Sequence, residues 1–246
     1  DHLFVTRKVG EYVFMSANVS FAMRLGIAMG SEALFVKSVL ESGGNTKQKL
    51  FEYLNALKPL PHIMAFQEWV ASVDMEEHLG LLGYQMIQTR SESEGSCIAI
   101  RNELSNEDLN HMIKRSSEDS ELWGVAVKGR TFSAMVANIP QPTLILNLHG
   151  PNPSEAAEGG WYKKSDSEIA TFKANKFCQY IPEHLKERFF VEDKGQAFRT
   201  NNRKFIEDWL SDILSPGWNN TINTIYEQCG RRLVVMGDLN DASETF

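Results

Sequence analysis

Apolar positions recur along this chain in two rhythms, and the switches between them mark out its elements. Tyr12 to Phe21 alternates in part, which predicts a core strand with Asn18 near its end. A helix is expected around Ser31 to Glu41, capped by Ser31 and presenting Leu34, Phe35 and Val39 on one face. After Ser42-Gly-Gly-Asn45 breaks the pattern, Thr46 to Leu57 resumes it, with Leu50, Phe51, Leu54 and Leu57 at helical spacing before Pro59 and Pro61. His62 to Glu68 predicts a short buried strand with Gln67 and Glu68 at its tip. Leu82 to Thr89 and Ser96 to Ile100 predict a hairpin around the polar Arg90 to Gly95. Trp123 to Val127 and Thr131 to Val136 predict another around Lys128-Gly-Arg130.

Thr143 to His149 is again an apolar strand, with Asn147 and His149 alternating onto one side before Gly150-Pro-Asn-Pro153. Ser165 to Tyr180 opens with a capping box, Ser165 with Glu168, and continues at helical spacing to Pro182. Gly195 to Asn202 is expected to be a loop, Arg203 to Leu214 an amphipathic helix stopped by Pro216-Gly217, and Thr221 to Cys229 a shorter helix. Leu233 to Met236 is an uninterrupted apolar run that predicts a strand buried on both faces. Gly237 is expected to let the chain turn sharply out of it and swing Asp238 into a cleft. Hairpins mixed with helices point to an α+β fold with mixed sheets rather than a regular parallel βαβ array.

Composition narrows the class. With 246 residues and 42% hydrophobic content the chain can bury a large core, and we expect a single domain over residues 1–246. Charged residues make up 23%, mean hydropathy is -0.30, and no apolar stretch approaches a membrane span, so a soluble globular protein is expected. Asn18-Val-Ser and Asn219-Asn-Thr match the glycosylation acceptor pattern, which is common by chance. A net charge of -7 argues against holding long duplex DNA by bulk electrostatics. Cys97, Cys178 and Cys229 have no paired spacing for zinc or a disulfide framework, which favours an intracellular, cytoplasmic or nuclear, protein. The chain begins on Asp1 rather than Met and ends soon after its final strand, so a piece of a longer protein is expected.

The chemistry lies where the strands end. Asn18, Gln67-Glu68, Asn147 with His149, and Asp238 with Asn240 and Asp241 follow apolar strands in that order. A hard divalent cation takes carboxylate and amide oxygens, which Glu68, Asn18 and Asp238 offer. His149 and Asn240 can donate hydrogen bonds to phosphate oxygens, and Asp238 and His149 can do proton work. Taken alone, Gly237-Asp-Leu-Asn-Asp241 also suits a plain turn.

Asn in a first strand, Gln-Glu after a second, Asn-x-His after another and Gly-Asp-x-Asn-Asp on a late one together resemble the DNase I-like endonuclease/exonuclease/phosphatase superfamily. The match runs from about Tyr12 to Asp241. The resemblance implies a four-layer α/β/β/α sandwich of two mixed sheets flanked by helices. It also implies magnesium-dependent hydrolysis of a phosphodiester or phosphomonoester by an activated water, with manganese as a substitute. Glu68 would be the principal metal ligand with Asn18 nearby, and Asp238, Asn240 and His149 would be catalytic. Asn147 and Asp241 would assist in binding a phosphate-ester substrate, whether nucleic acid, nucleotide or phospholipid headgroup. The superfamily carries an Asp-His pair after the Gly-Asp-x-Asn strand, and no residue after Phe246 supplies it here. The C-terminal strands are therefore expected to be missing. The alternative is a catalytically inactive member serving as a binding or structural module in a larger assembly.

Overall fold

A computed structural model describes residues 4–19, 46–69, 73–88, 95–119, 132–149, 207, 210–211, 213–216 and 220–238, without the side chains of 4, 46–49, 68 and 117–119. The expected helices Ser31 to Glu41 and Ser165 to Tyr180, the strand Trp123 to Val127, the loop Gly195 to Asn202 and most of Arg203 to Leu214 lie outside the described residues.

Among the described residues, five strands form the first sheet: β1 (Phe4–Val9), β2 (Tyr12–Asn18), β3 (Ile63–Trp69), β4 (Tyr84–Gln88) and β5 (Gly95–Arg101), in the order β1-β2-β3-β5-β4. Only β2 and β3 run parallel within it. The second sheet has the order β6-β7-β8, with β6 (Phe132–Asn138) antiparallel to β7 (Pro142–His149) and β7 parallel to β8 (Leu233–Asp238). The fold is therefore mixed α+β, as expected. The chain divides into two units, Asp1–His149 with Ile225–Asp238, and Gly150–Thr224 with Leu239–Phe246. Both sheets belong to the first. In the second, Ile213 and Ile222 are buried and Asn223 Nδ2 donates to the Leu214 carbonyl at 2.8 Å.

Alternation along the strands separates two cores. Met15, Ala17, Met64, Phe66, Cys97 and Ala99 cluster with Leu50 and Leu54 of α1 (Thr46–Ala56) and with Met75 and Leu79 of α2 (Val73–Leu81). Leu50/Leu54 and Met75/Leu79 are each four apart, so each helix lays one stripe on the sheet. Asp74 and Glu76 complement the amino end of α2, and Gly83, at φ +86°, closes its exit through a bond from its N–H to the Gly80 carbonyl. The opposite face of the sheet, with Ile63, Ala65, Ile98 and Ile100, packs on the second sheet, where β2 meets β8, β3 meets β7 and β8, and β5 meets β6 and β7.

The edge of β6 is covered by α3 (Glu107–Asp119), which the periodicity did not predict. Asn106 caps this helix by accepting from the Leu109 N–H at 3.2 Å. Asn110, one turn on, acts as a substitute strand for β6: it donates to the Val136 carbonyl at 2.9 Å and accepts from the Val136 N–H at 2.6 Å. The helix α4 (Asn220–Gln228) leads into β8 as expected. β8 itself departs from expectation. Its residues are half-buried throughout rather than buried on both faces, because among the described residues only β7 pairs with it, at the edge of the second sheet. No helix among the described residues is long and apolar enough to cross a membrane.

Candidate active site at the strand ends

The parallel pairing of β2 with β3 and of β7 with β8 sends the carboxyl ends of each pair the same way, so their terminal side chains collect by register. Asn18 lies opposite Gln67, and Gln67 opposite Ser96, giving a buried polar row across the first sheet. In the second sheet Ser133 lies opposite Asn147, and His149 opposite Asp238. Asn18 and His149 are 8% and 4% exposed, whereas Asp238 is half-buried, which places its carboxylate at the boundary with solvent.

Two hydrogen bonds join the rows across the sandwich. Asn18 Nδ2 donates to Asp238 Oδ2 at 3.2 Å, linking positions 220 residues apart. Deeper in, Gln67 Nε2 donates to Asn147 Oδ1 at 2.7 Å and to Ser16 Oγ at 3.2 Å. Asn147 Nδ2 donates to the carbonyls of Phe66 at 2.8 Å and Cys97 at 3.0 Å, with Ser133 Oγ at 3.4 Å. Asn147 is fully buried, and both ends of its amide engage protein groups.

Backbone irregularities shape this rim. Gln67 pairs with Ser96 but Trp69 pairs with Gly95, so Glu68 is the extra residue of a β-bulge. Beyond it the alternation is reset. Trp69 returns to the helix-covered face and stacks on Phe66 at 5.1 Å, its indole N–H donating to Gln88 Oε1 at 2.8 Å. Gly237 does not end its strand, as expected from the sequence; β8 runs through it to Asp238. Its φ of +130° and its approach to β7 are what require glycine, since an added Cβ would collide with the Leu148 carbonyl oxygen and lie 2.8 Å from the Leu148 nitrogen.

The structure thus brings Asn18, His149 and Asp238 to one rim, with Asn147 fully buried beneath it. It places Glu68 there by its backbone, while its side chain, and Asn240 and Asp241 altogether, lie outside the described residues. Residues 90–94, 151–164 and 195–204 lie outside them too. Sequence reasoning missed the part played by Ser96 and Ser133, single serines in apolar runs, and the bulge. The signal for the bulge was the spacing of Phe66 and Trp69, which period-two alternation would send to opposite faces.

Among the described residues, no three His, Cys, Asp or Glu side chains form a group that would hold a metal. The donors that are present, the Asp238 carboxylate and the Asn18 amide, are hard oxygen ligands of the kind magnesium accepts while keeping most of its waters. Cys97 is buried, and desolvation pushes its thiol well above the ordinary range, keeping it protonated.

No family model matches the chain, and no curated protein matches it. Solved structures do. A humanized D. rerio TDP2 carrying 14 mutations is 14% identical with a TM-score of 0.36, over 65% of this chain and 56% of that one. A truncated Caenorhabditis elegans TDP2 is 15% identical with a TM-score of 0.31, over 64% of this chain and 56% of that one. The chain spans about half the length of these structures.

Proposed function

We propose that this protein is a magnesium-dependent phosphoesterase whose site lies at the carboxyl ends of β2, β3, β7 and β8. The observation that carries this reading is the Asn18–Asp238 hydrogen bond across the sandwich, with His149 in register beside Asp238. A carboxylate held by an amide at the boundary with solvent, next to an imidazole, is an arrangement suited to steering a water and transferring its proton.

In this reading Glu68 and Asn18 hold the cation, with Asp238 and Asn240 orienting the attacking water. The cation, when bound, neutralises and polarises the phosphoryl oxygens. Asn18 holds Asp238 in place so that its carboxylate accepts the water's proton. His149 donates a hydrogen bond to a phosphate oxygen or to the leaving group, and Asp241 helps bind the substrate. The substrate class is a nucleic acid, nucleotide or phospholipid headgroup. The net charge of -7 favours a short phosphate footprint over a long duplex. We further propose that residues 1–246 act as one domain, intracellular, with manganese able to replace magnesium.

The test is the initial rate of hydrolysis of a generic phosphodiester and a generic phosphomonoester by the intact protein, with magnesium and with chelator. Magnesium-dependent turnover abolished by Glu68→Ala and by Asp238→Ala is the expected result. An intact protein that binds no divalent cation, and that both substitutions leave unchanged, sinks the enzyme reading in favour of an inactive scaffold.

A further inference from the structure

We infer that Asn147 is a positioning residue that holds the bulge at Glu68 in register with the His149–Asp238 pair, rather than a group that touches substrate. The inference rests on the proposed phosphoesterase reading and assigns a place within it to a residue otherwise expected to bind substrate.

Three observations converge. Asn147 is fully buried, one alternation back from His149 on β7, so it lies beneath the rim. Its Nδ2 donates to the carbonyls of Phe66 and Cys97, which face each other in the pair that precedes Gln67 and the bulge. Its Oδ1 accepts from Gln67 Nε2 at 2.7 Å, and Gln67 is the residue immediately before Glu68. One amide from the second sheet therefore grips both strands of the first where their ladder is about to be interrupted.

At a bulge two residues of one strand oppose one of the other, and a shift of the bulge by one residue reverses the face of the residue it passes. Held from the opposite sheet, the bulge has one position. Because the same strand carries His149, which is paired with Asp238, the clamp also ties that position to the proton-handling pair. A leucine at 147 would fill the space but leave two buried carbonyls without this donor.

The variants are Asn147→Asp, which keeps the acceptor for Gln67 but turns a carboxylate oxygen toward the two carbonyls, and Gln67→Met, a milder change that leaves the carbonyl bonds intact. Amide hydrogen exchange over 63–69 and 95–101 is read without any ligand. Binding of Mn2+ is followed by electron paramagnetic resonance, and KM and kcat are measured on the generic phosphodiester. For Asn147→Asp we expect exchange about tenfold faster in both peptides. Mn2+ binding should weaken roughly tenfold to a hundredfold, with kcat falling and KM nearly unchanged. Gln67→Met should move the same readouts in the same direction by less. A raised KM with unchanged exchange and unchanged Mn2+ binding makes Asn147 a substrate contact and overturns the inference. Failure of the wild type to bind Mn2+ sinks the phosphoesterase reading instead. The exchange arm then still decides the clamp, because unchanged exchange in both variants overturns it.

Discussion

The two ends of β3 are both polar, but their polar groups are used differently. At the amino end, side chains serve the backbone. His62 Nδ1 accepts from the Val13 N–H at 2.9 Å, Arg101 donates to the carbonyls of Leu60 at 2.5 Å and Pro61 at 3.2 Å, and the Tyr84 hydroxyl also donates to the Pro61 carbonyl. At the carboxyl end Asn147 also serves the carbonyls of Phe66 and Cys97, but there side chains meet one another across the sandwich as well, Gln67 with Asn147 and Asn18 with Asp238. Backbone carbonyls next to a sheet need donors whatever the protein does, so the first arrangement stabilises. Asn18 and Asp238 are turned toward each other at the margin of solvent, which the fold does not require. In the proposed phosphoesterase reading, that difference puts function at the carboxyl end and stability at the amino end.

The comparison breaks most readily at Asp238. Asp238→Ala should reduce phosphodiester turnover on the order of a thousandfold while the denaturation midpoint moves little, read by initial rates and urea unfolding on the same preparation. Next in size is Gly237→Ala. The Cβ has no room against Leu148, so stability should fall by more than about 1 kcal/mol, and turnover should fall too, as β8 shifts Asp238 away from Asn18. Arg101→Met should give the reverse of the Asp238 result. Removing the donor to the Leu60 and Pro61 carbonyls should lower stability by about 1–3 kcal/mol, with turnover per folded molecule unchanged.

The smallest effect is a pH dependence at the amino end. His62 has its pKa lowered from the ordinary 6.5, first by burial and then by the Arg101 charge, against smaller opposing effects of Glu103 and Glu11. The neutral ring is the form that accepts from Val13, so the folded state resists the proton that the unfolded chain takes up. Stability is therefore complete above pH 6.5 and declines as pH falls from there toward the lowered folded value. Burial lowers His78 in the same direction. His62→Gln, which keeps an acceptor for Val13 and cannot titrate, should reduce the slope of unfolding free energy just below pH 6.5 while leaving the His78 contribution in place. An unchanged slope would remove His62 from the account.

What was legible in the sequence follows the same division. The runs at β3, β7 and β8, and the polar residues ending them, were readable because a strand buried on at least one face must be apolar until it reaches the rim. β1 was not, since Val5 to Val9 are all exposed and so show no apolar stripe. α2 has two buried residues in nine, and α3 buries Asn110 beside Ile113, so neither offers a clear periodicity. The rim residues were legible one by one, but their pairing was not. The Asn18–Asp238 bond closes over 220 residues, and the bulge that places Glu68 depends on Asn147 in the other sheet.

The most direct measurement compares the two ends in one experiment: magnesium-dependent hydrolysis of a generic phosphodiester by Asp238→Ala and by Arg101→Met, each rate divided by the folded fraction. The account predicts that Asp238→Ala is folded and inactive, while Arg101→Met is less stable and fully active per folded molecule. Equal loss of rate in both, in proportion to unfolding, would contradict it.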